Sequence, residues 1–131
     1  MPDHNTYDYA VIRVIPKVER EEFVNVGVIV SCPACEFLDA AIEVDETRLK
    51  AIDSALDLET IRNHLAAIKL ICAGGDDAGP IGKLTQRERF HWLVAPRSTI
   101  IQTSPVHSGY CAEPSVALEH LLETLVRSRK A

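Results

Sequence analysis

The sequence predicts an α+β fold: a mainly antiparallel sheet of about five strands with two or three helices packed on one face. Two hydrophobic patterns indicate it. In the first third of the chain apolar residues alternate with period two, as in strands, whereas later segments repeat every three and four residues, as in helices. The length of 131 residues lies near the commonest domain size, so we expect residues 1–131 to form a single domain.

The N-terminal part of the chain contains three candidate strands. Residues 7–15 are rich in β-branched and aromatic side chains and end at Pro16, which cannot donate to a strand ladder. Residues 23–32 place four valines on one face, and residues 37–44 alternate again after a turn at 32–36. The four valines are Val24, Val26, Val28 and Val30. We expect the second and third strands to form an antiparallel hairpin.

Two residues interrupt the apolar run of the second strand. Asn25 is polar and Gly27 has no side chain. Such an interruption indicates a β-bulge, the close approach of a ligand or of a partner's backbone, or simply room for side chains opposite. Asn25 is therefore a candidate contact residue.

Two helices are predicted in the middle of the chain. Asp45 can cap a short helix that turns Leu49 and Ile52 inward, and Asp57 can cap a longer one. The longer helix carries an apolar stripe and ends at Gly74, which can adopt the left-handed conformation that stops a helix. The stripe consists of Leu58, Ile61, Leu65, Ile68 and Cys72. We expect it to lie on the sheet.

The C-terminal part is predicted to contain a second hairpin and a last helix. In residues 90–95 apolar side chains alternate, Pro96 breaks the pattern, and residues 98–103 extend again. Residues 104–110 have the composition of a turn, and Pro114 opens the helix where its missing N–H costs nothing. The apolar side of this helix consists of Leu118, Leu121, Leu122, Leu125 and Val126.

Composition excludes several classes of protein. Hydrophobic residues make up 47% and charged residues 25% of the chain, and no apolar run approaches the roughly 20 residues needed to cross a bilayer. The first residues lack the basic and apolar regions of a signal peptide, and four cysteines are too few for a disulfide framework. We expect a cytoplasmic protein with no membrane contact and, for want of a cofactor motif, no cofactor.

Charge is distributed unevenly. The net charge of −5 disfavours nucleic-acid binding through a basic surface, but residues 83–97 contain four basic residues and one acidic residue. If residues 90–95 form a strand, Arg89 and His91 share a face, and Arg97 at the hairpin bend can reach toward them. The hydroxyl and imidazole candidates near that bend are Ser98, Ser104 and His107. Converging groups of these types can bind phosphate or carboxylate, although a solvated sheet face is the simpler interpretation.

Cys32-Pro33-Ala34-Cys35 forms a C-x-x-C motif, which is typical of redox pairs and of half a zinc site. A redox pair needs its first thiolate at a helix N-terminus, and a zinc site needs two further ligands. The motif instead falls in a predicted turn between strands. Structural cysteines are the favoured interpretation, and metal or redox roles for Cys32 and Cys35 stay open as alternatives.

Four segments carry a resemblance to a known family. They are YDYAVIR at 7–13, EEFVNVG at 21–27, ERFHWLVAPRST at 88–99 and SPVHSG at 104–109. Together they resemble the bacterial domain-of-unknown-function family 3037, whose members tend to be encoded beside small proteins that look like kinases of the HipA toxin group. The resemblance implies a partner or modulator of such a kinase. The C-x-x-C motif departs from the family, in which the proline but not both cysteines is expected, and this speaks against a family-wide zinc or redox role.

Two functions stay open at this point. The first is an interaction module that engages a kinase-like protein through an exposed sheet edge or surface. The second is a small-molecule or nucleotide-phosphate binder, including an enzyme acting on phosphate esters, in which the arginines hold the anion and a histidine transfers a proton. Since spacing specifies no nucleophile with a base, a function without catalysis is favoured. Under either function, the polar contact site would consist of Arg89, His91, Arg97 and His107.

Overall fold

The computed structural model describes residues 4–97 and 99–127, apart from the side chain of residue 18. Five antiparallel strands form one sheet in the order β3-β2-β1, and both β4 and β5 pair with the remaining side of β1. The strands are β1 (Asn5–Val14), β2 (Val24–Cys32), β3 (Phe37–Ile42), β4 (Ile101–Thr103) and β5 (His107–Cys111). The predicted α+β fold and the predicted β2–β3 hairpin are confirmed.

Helices cover both faces of the sheet. They are α1 (Glu46–Ile52), α2 (Leu58–Ala73), α3 (Gln86–Val94) and α4 (Pro114–Leu125), with 3₁₀ segments at Val18–Arg20, Pro33–Cys35 and Asp76–Lys83. Three helices, α1 to α3, pack with Ile12 and Ile29 of the sheet on one face, and the apolar stripe of α2 lies on the sheet as predicted. The last helix, α4, packs with Val28 and Val30 on the other face. In the described residues no helix is long and apolar enough to cross a membrane.

The predicted N-caps of α1 and α2 are confirmed. The Asp45 carboxylate accepts a hydrogen bond from the Arg48 backbone N–H at 3.1 Å, and the Asp57 carboxylate accepts one from the Thr60 N–H at 3.2 Å. Gly74 ends α2 with φ of 75°. These caps fix the length of α2, which carries one wall of the cavity described below.

A β-bulge in β2 corrects the predicted face of four valines. Ile12 pairs with Gly27 and Arg13 pairs with Asn25, so residue 26 is the extra residue. Because one additional residue shifts the alternation, the four valines divide between the two faces. Val24 and Val26 pack with α1 to α3, whereas Val28 and Val30 pack against α4. The bulge interpretation of the Asn25–Gly27 interruption is thereby confirmed.

The predicted strand at 90–95 is wrong, because residues 90–94 belong to α3 and Ala95 is the C-cap of that helix. A capping box starts this helix: the Thr85 hydroxyl accepts from the Glu88 N–H at 3.2 Å, and the Glu88 carboxylate accepts from the Thr85 N–H at 3.0 Å. Phe90 and Leu93, three residues apart, are buried, whereas Trp92 is 42% exposed. The second predicted hairpin and its shared strand face for residues 89 and 91 therefore do not exist.

β4 and β5 lie end to end along one side of β1, so that this edge of the sheet resembles a single interrupted strand. β4 pairs with residues 12–14 and β5 pairs with residues 5–9 of the same strand, so the predicted turn at 104–110 is partly β5. Ser104 joins the two pieces: its N–H donates to the Val11 carbonyl, and its hydroxyl accepts from the Val11 N–H, both at 2.8 Å. The buried hydroxyl replaces a backbone acceptor at the interruption.

Candidate functional site

Arg89 forms its hydrogen bonds in the interior of the protein. Its side chain is buried, and one guanidinium nitrogen, Nη1, donates to the carbonyls of Ile71 and Cys72 at 2.7 and 2.6 Å. Its Nε donates to the Leu84 carbonyl at 3.2 Å. The carbonyls of Ile71 and Cys72 belong to the last turn of α2, and that of Leu84 lies near the end of the connection to α3, so Arg89 caps α2 and points away from solvent.

Arg97 is fixed at the C-terminus of α3. Its Nη1 donates to the carbonyls of Leu93 and Ala95 at 3.0 and 3.3 Å, and its Nη2 donates to the Trp92 carbonyl at 2.6 Å. The guanidinium carbon also lies 4.4 Å from the centre of the Trp92 ring, a cation–π distance. A positive charge is thus held in one orientation at the end of a helix, where the dipole favours it.

A cavity of about 300 Å³ lies beside this arginine, between α2, the end of α3 and β4. Its apolar wall consists of Ala67, Ile68, Ile71, Trp92, Leu93 and Ile101. Its polar lining consists of Asn63, His64, Arg97, Gln102 and Thr103. An apolar concavity with a few polar groups is the usual form of a small-molecule site, and this one lies at the lower end of the usual range of roughly 300–1,000 Å³.

The other predicted contact residues lie elsewhere. His91 is exposed on α3, and the exposed His107 pairs with Tyr9 across β5 and β1, with ring centres 5.4 Å apart. The Asn25 side chain donates to the Leu125 carbonyl at 3.0 Å. Ser98 lies outside the described residues. The described candidates therefore contact separate elements, and of these Arg97 alone lines the cavity.

The C-x-x-C motif lies in the turn between β2 and β3, as predicted, and has a third thiol beside it. Cys32 is buried and Cys35 is exposed. A hydrogen bond with Cys32 raises the pKa of the Cys35 thiol, and burial followed by the nearby Cys35 raises the pKa of Cys111. Raised values keep both thiols protonated at neutral pH. In the described residues no group of three or more His, Cys, Asp or Glu side chains is arranged to hold a metal ion.

The outer edge of β5 is the second surface of interest. Within the described part of the chain β5 pairs with β1 alone, so its other side has no neighbouring strand. Tyr110 on this strand is 75% exposed, and Val116 at the start of α4 is 66% exposed. Both residues line a shallow concavity with Tyr7 and His120. Unpaired backbone groups and exposed apolar side chains therefore lie together.

Comparison with known proteins identifies a family. The family model described as "Protein of unknown function (DUF3037)" matches residues 9–126. The chain belongs to this family. No curated protein and no solved structure matches it. The match to DUF3037 includes β4, β5, α4 and every residue that lines the cavity. At the second surface it includes Tyr110, Val116 and His120, whereas Tyr7 precedes the first matched residue.

Sequence reasoning assigned no role to His64, which lines the cavity. A signal was present, because His64 precedes Ile68 by four residues and so extends the apolar stripe of α2 on the same side. Gln102 and Thr103 could not have been found in this way. They join the cavity only because β4 pairs with β1 instead of with residues 90–95.

Proposed function

We propose that this DUF3037 protein is an interaction module that binds an extended segment of a protein partner along the outer edge of β5. The open edge of β5, with Tyr110 exposed on it, is the observation that carries the proposal. Strand addition supplies main-chain hydrogen bonds, and pockets for alternate side chains supply specificity. His107 at the first position of β5 adds a polar contact from the predicted set.

The opposite edge of the sheet suits a partner less well. There the Lys69 ammonium donates to the Ala40 carbonyl of β3 at 2.7 Å and to the Asp39 carboxylate at 3.0 Å. A lysine laid along an edge strand is a common way to block strand addition. The β5 edge, which Tyr110 and Val116 flank, is therefore the favoured docking edge.

The partner we propose is the kinase-like protein encoded beside members of the family. The support for it is the family resemblance together with the open edge. The proposal treats residues 1–131 as one domain, since both hydrophobic clusters use the same sheet. A cytoplasmic location, expected from the sequence, is part of the same proposal.

Co-expression with the neighbouring kinase-like protein, followed by size-exclusion chromatography with mass detection, tests the proposal. We expect one joint peak, and we expect Tyr110→Lys to abolish it, because a lysine on the edge opposes strand addition. Leu70→Lys, at a position 44% exposed on α2, is the matched control and should leave the joint peak intact. Separate peaks at several salt concentrations, or a complex that tolerates Tyr110→Lys, would count against the β5 edge.

A second candidate function is small-molecule binding, which the cavity beside Arg97 favours. The nucleotide-phosphate form of this hypothesis is weakened because Arg89 is turned inward, which leaves one arginine at the cavity. A thermal-shift screen of small organic acids, phosphates and nucleotides tests it, because a ligand that binds only the native state raises stability. A screen without any shift would contradict this function.

A further inference from the structure

We propose that the cavity between α2, α3 and β4 binds a small organic monoanion: an apolar body that carries one carboxylate. The inference rests on the second candidate function and names its ligand class. The apolar wall, which includes Ile68, Ile71 and Leu93, would hold the body, and Arg97 would pair with the carboxylate.

The charge of the lining selects an anion. Arg97 and His64 are the ionisable residues among those that line the cavity, and no aspartate or glutamate accompanies them in the described structure. This is notable in a chain with 19 acidic and 14 basic residues. A lining with a cation and no carboxylate complements a negative ligand and disfavours a cationic one.

The geometry of Arg97 favours a ligand with a single negative charge. Three backbone carbonyls and the Trp92 ring hold the guanidinium in place, so little side-chain entropy is lost when it binds a ligand. Its hydrogen bonds to the described residues use Nη1 and Nη2, so Nε can donate to an incoming oxygen. One fixed guanidinium matches one carboxylate, whereas a phosphate dianion is normally held by several cations or backbone N–H groups.

The size and polarity of the cavity limit the rest of the ligand. A volume of about 300 Å³ admits a short aliphatic or single-ring body. Thr103 and Gln102 donate to the protein's own carbonyls, of Val94 at 3.5 Å and of Thr99 at 2.8 Å. Their donors are thus already used in part, and the apolar wall has few groups to offer a polyhydroxylated molecule such as a sugar.

Fluorescence of Trp92 tests the inference, because it is the only tryptophan in the chain and lines the cavity. The probes are hexanoate, the neutral hexan-1-ol and inorganic phosphate. We expect hexanoate to change the emission saturably and to bind at least about tenfold more tightly than either comparison probe. Ala67→Phe, which adds a ring to the lining of the cavity, should weaken hexanoate binding at least about tenfold. Ala66→Phe, at an exposed neighbouring position outside the lining, is the control and should leave hexanoate binding unchanged.

The outcomes distinguish the anionic ligand class from small-molecule binding at the cavity as such. Equal binding of hexanoate and hexan-1-ol, both sensitive to Ala67→Phe, would overturn the anionic class and leave the cavity as a small-molecule site. Binding that ignores Ala67→Phe, or tighter binding of phosphate than of hexanoate, would also overturn the inference. If no probe binds, both the inference and its parent function at this cavity fail. Isothermal calorimetry repeats each comparison without relying on tryptophan emission.

Discussion

A β-carbon on Gly74 would lie 2.9 Å from the guanidinium carbon of Arg89. Gly74 therefore does two things at the end of α2: it adopts a φ of 75°, which ends the helix, and it leaves space for the arginine that caps the final carbonyls. The basic segment that the sequence marked as an anion site uses one of its arginines to hold two helices together.

Gly74→Ala should destabilise the protein more than Gly75→Ala. Both glycines have positive φ, 75° and 87°, so both variants carry backbone strain of about 1 kcal/mol or more. A β-carbon on Gly75 meets nothing within 4 Å, so the clash with Arg89 is confined to Gly74. Urea unfolding of the two variants measures the difference, and equal losses would show that Arg89 does not depend on the space at Gly74.

Arg89→Lys should lower the free energy of unfolding by roughly 2 kcal/mol, because one ammonium cannot reproduce the bonds to three carbonyls and leaves buried acceptors unpaired. The exposed Arg87→Lys is the control, with an expected change within about 0.5 kcal/mol. Chemical denaturation measures both. A stable Arg89→Lys protein would contradict the capping role.

Part of the stability of α2 should depend on pH. The Thr60 hydroxyl and backbone N–H lower the pKa of the Asp57 carboxyl from its ordinary value of 3.8. Because the folded pKa lies below the unfolded one, this stabilisation is present above the unfolded pKa and is lost as pH falls through the folded value. Asp57→Asn should therefore flatten the acid limb of a melting-temperature profile, and Thr60→Ala should raise the pKa of Asp57. An unchanged acid limb in both variants would contradict the assignment.

The cysteines should differ in reactivity. Cys35 is exposed, whereas burial raises the pKa of Cys72 to about 12, with Asp39 acting in the same direction. Iodoacetamide at pH 8 should label Cys35 first and reach Cys72 only after unfolding, since the thiolate is the reactive form. Raising the pH should accelerate labelling of Cys35, because its pKa is also raised. Peptide mass spectrometry identifies the sites; rapid native labelling of Cys72 would contradict its burial.

Local signals predicted much of the fold. The alternation in β1 to β3, the caps Asp45 and Asp57 and the stop at Gly74 act within a few residues, so the sequence shows them directly. The strand predicted at 90–95 rested on alternation alone and left out a second local signal, the capping-box spacing of Thr85 and Glu88 that the structure shows at the start of α3. The segment forms a helix because the capping box is satisfied and because a helix buries Phe90 and Leu93, three residues apart, while Trp92 between them stays exposed.

Long-range contacts determined what could not be predicted. β5 has little apolar alternation of its own, and it forms because β1 offers an edge with which it can pair. Arg89 finds its acceptors 17 and 18 residues away in sequence, and Ser104 finds Val11 93 residues away. Of the predicted contact residues Arg97 reached the cavity, because its own helix end holds it there.

Hydrogen exchange of the β5 amides tests the proposed function most directly. The backbone amides of residues 107–111 would be measured in the free protein and in the complex with the neighbouring kinase-like protein, with Tyr110→Lys as the blocked reference. Strand addition predicts slower exchange on β5 in the complex, because a partner strand would bond the outward-facing N–H groups. A stable complex in which exchange on β5 is unchanged, with protection confined to other elements, would contradict the account.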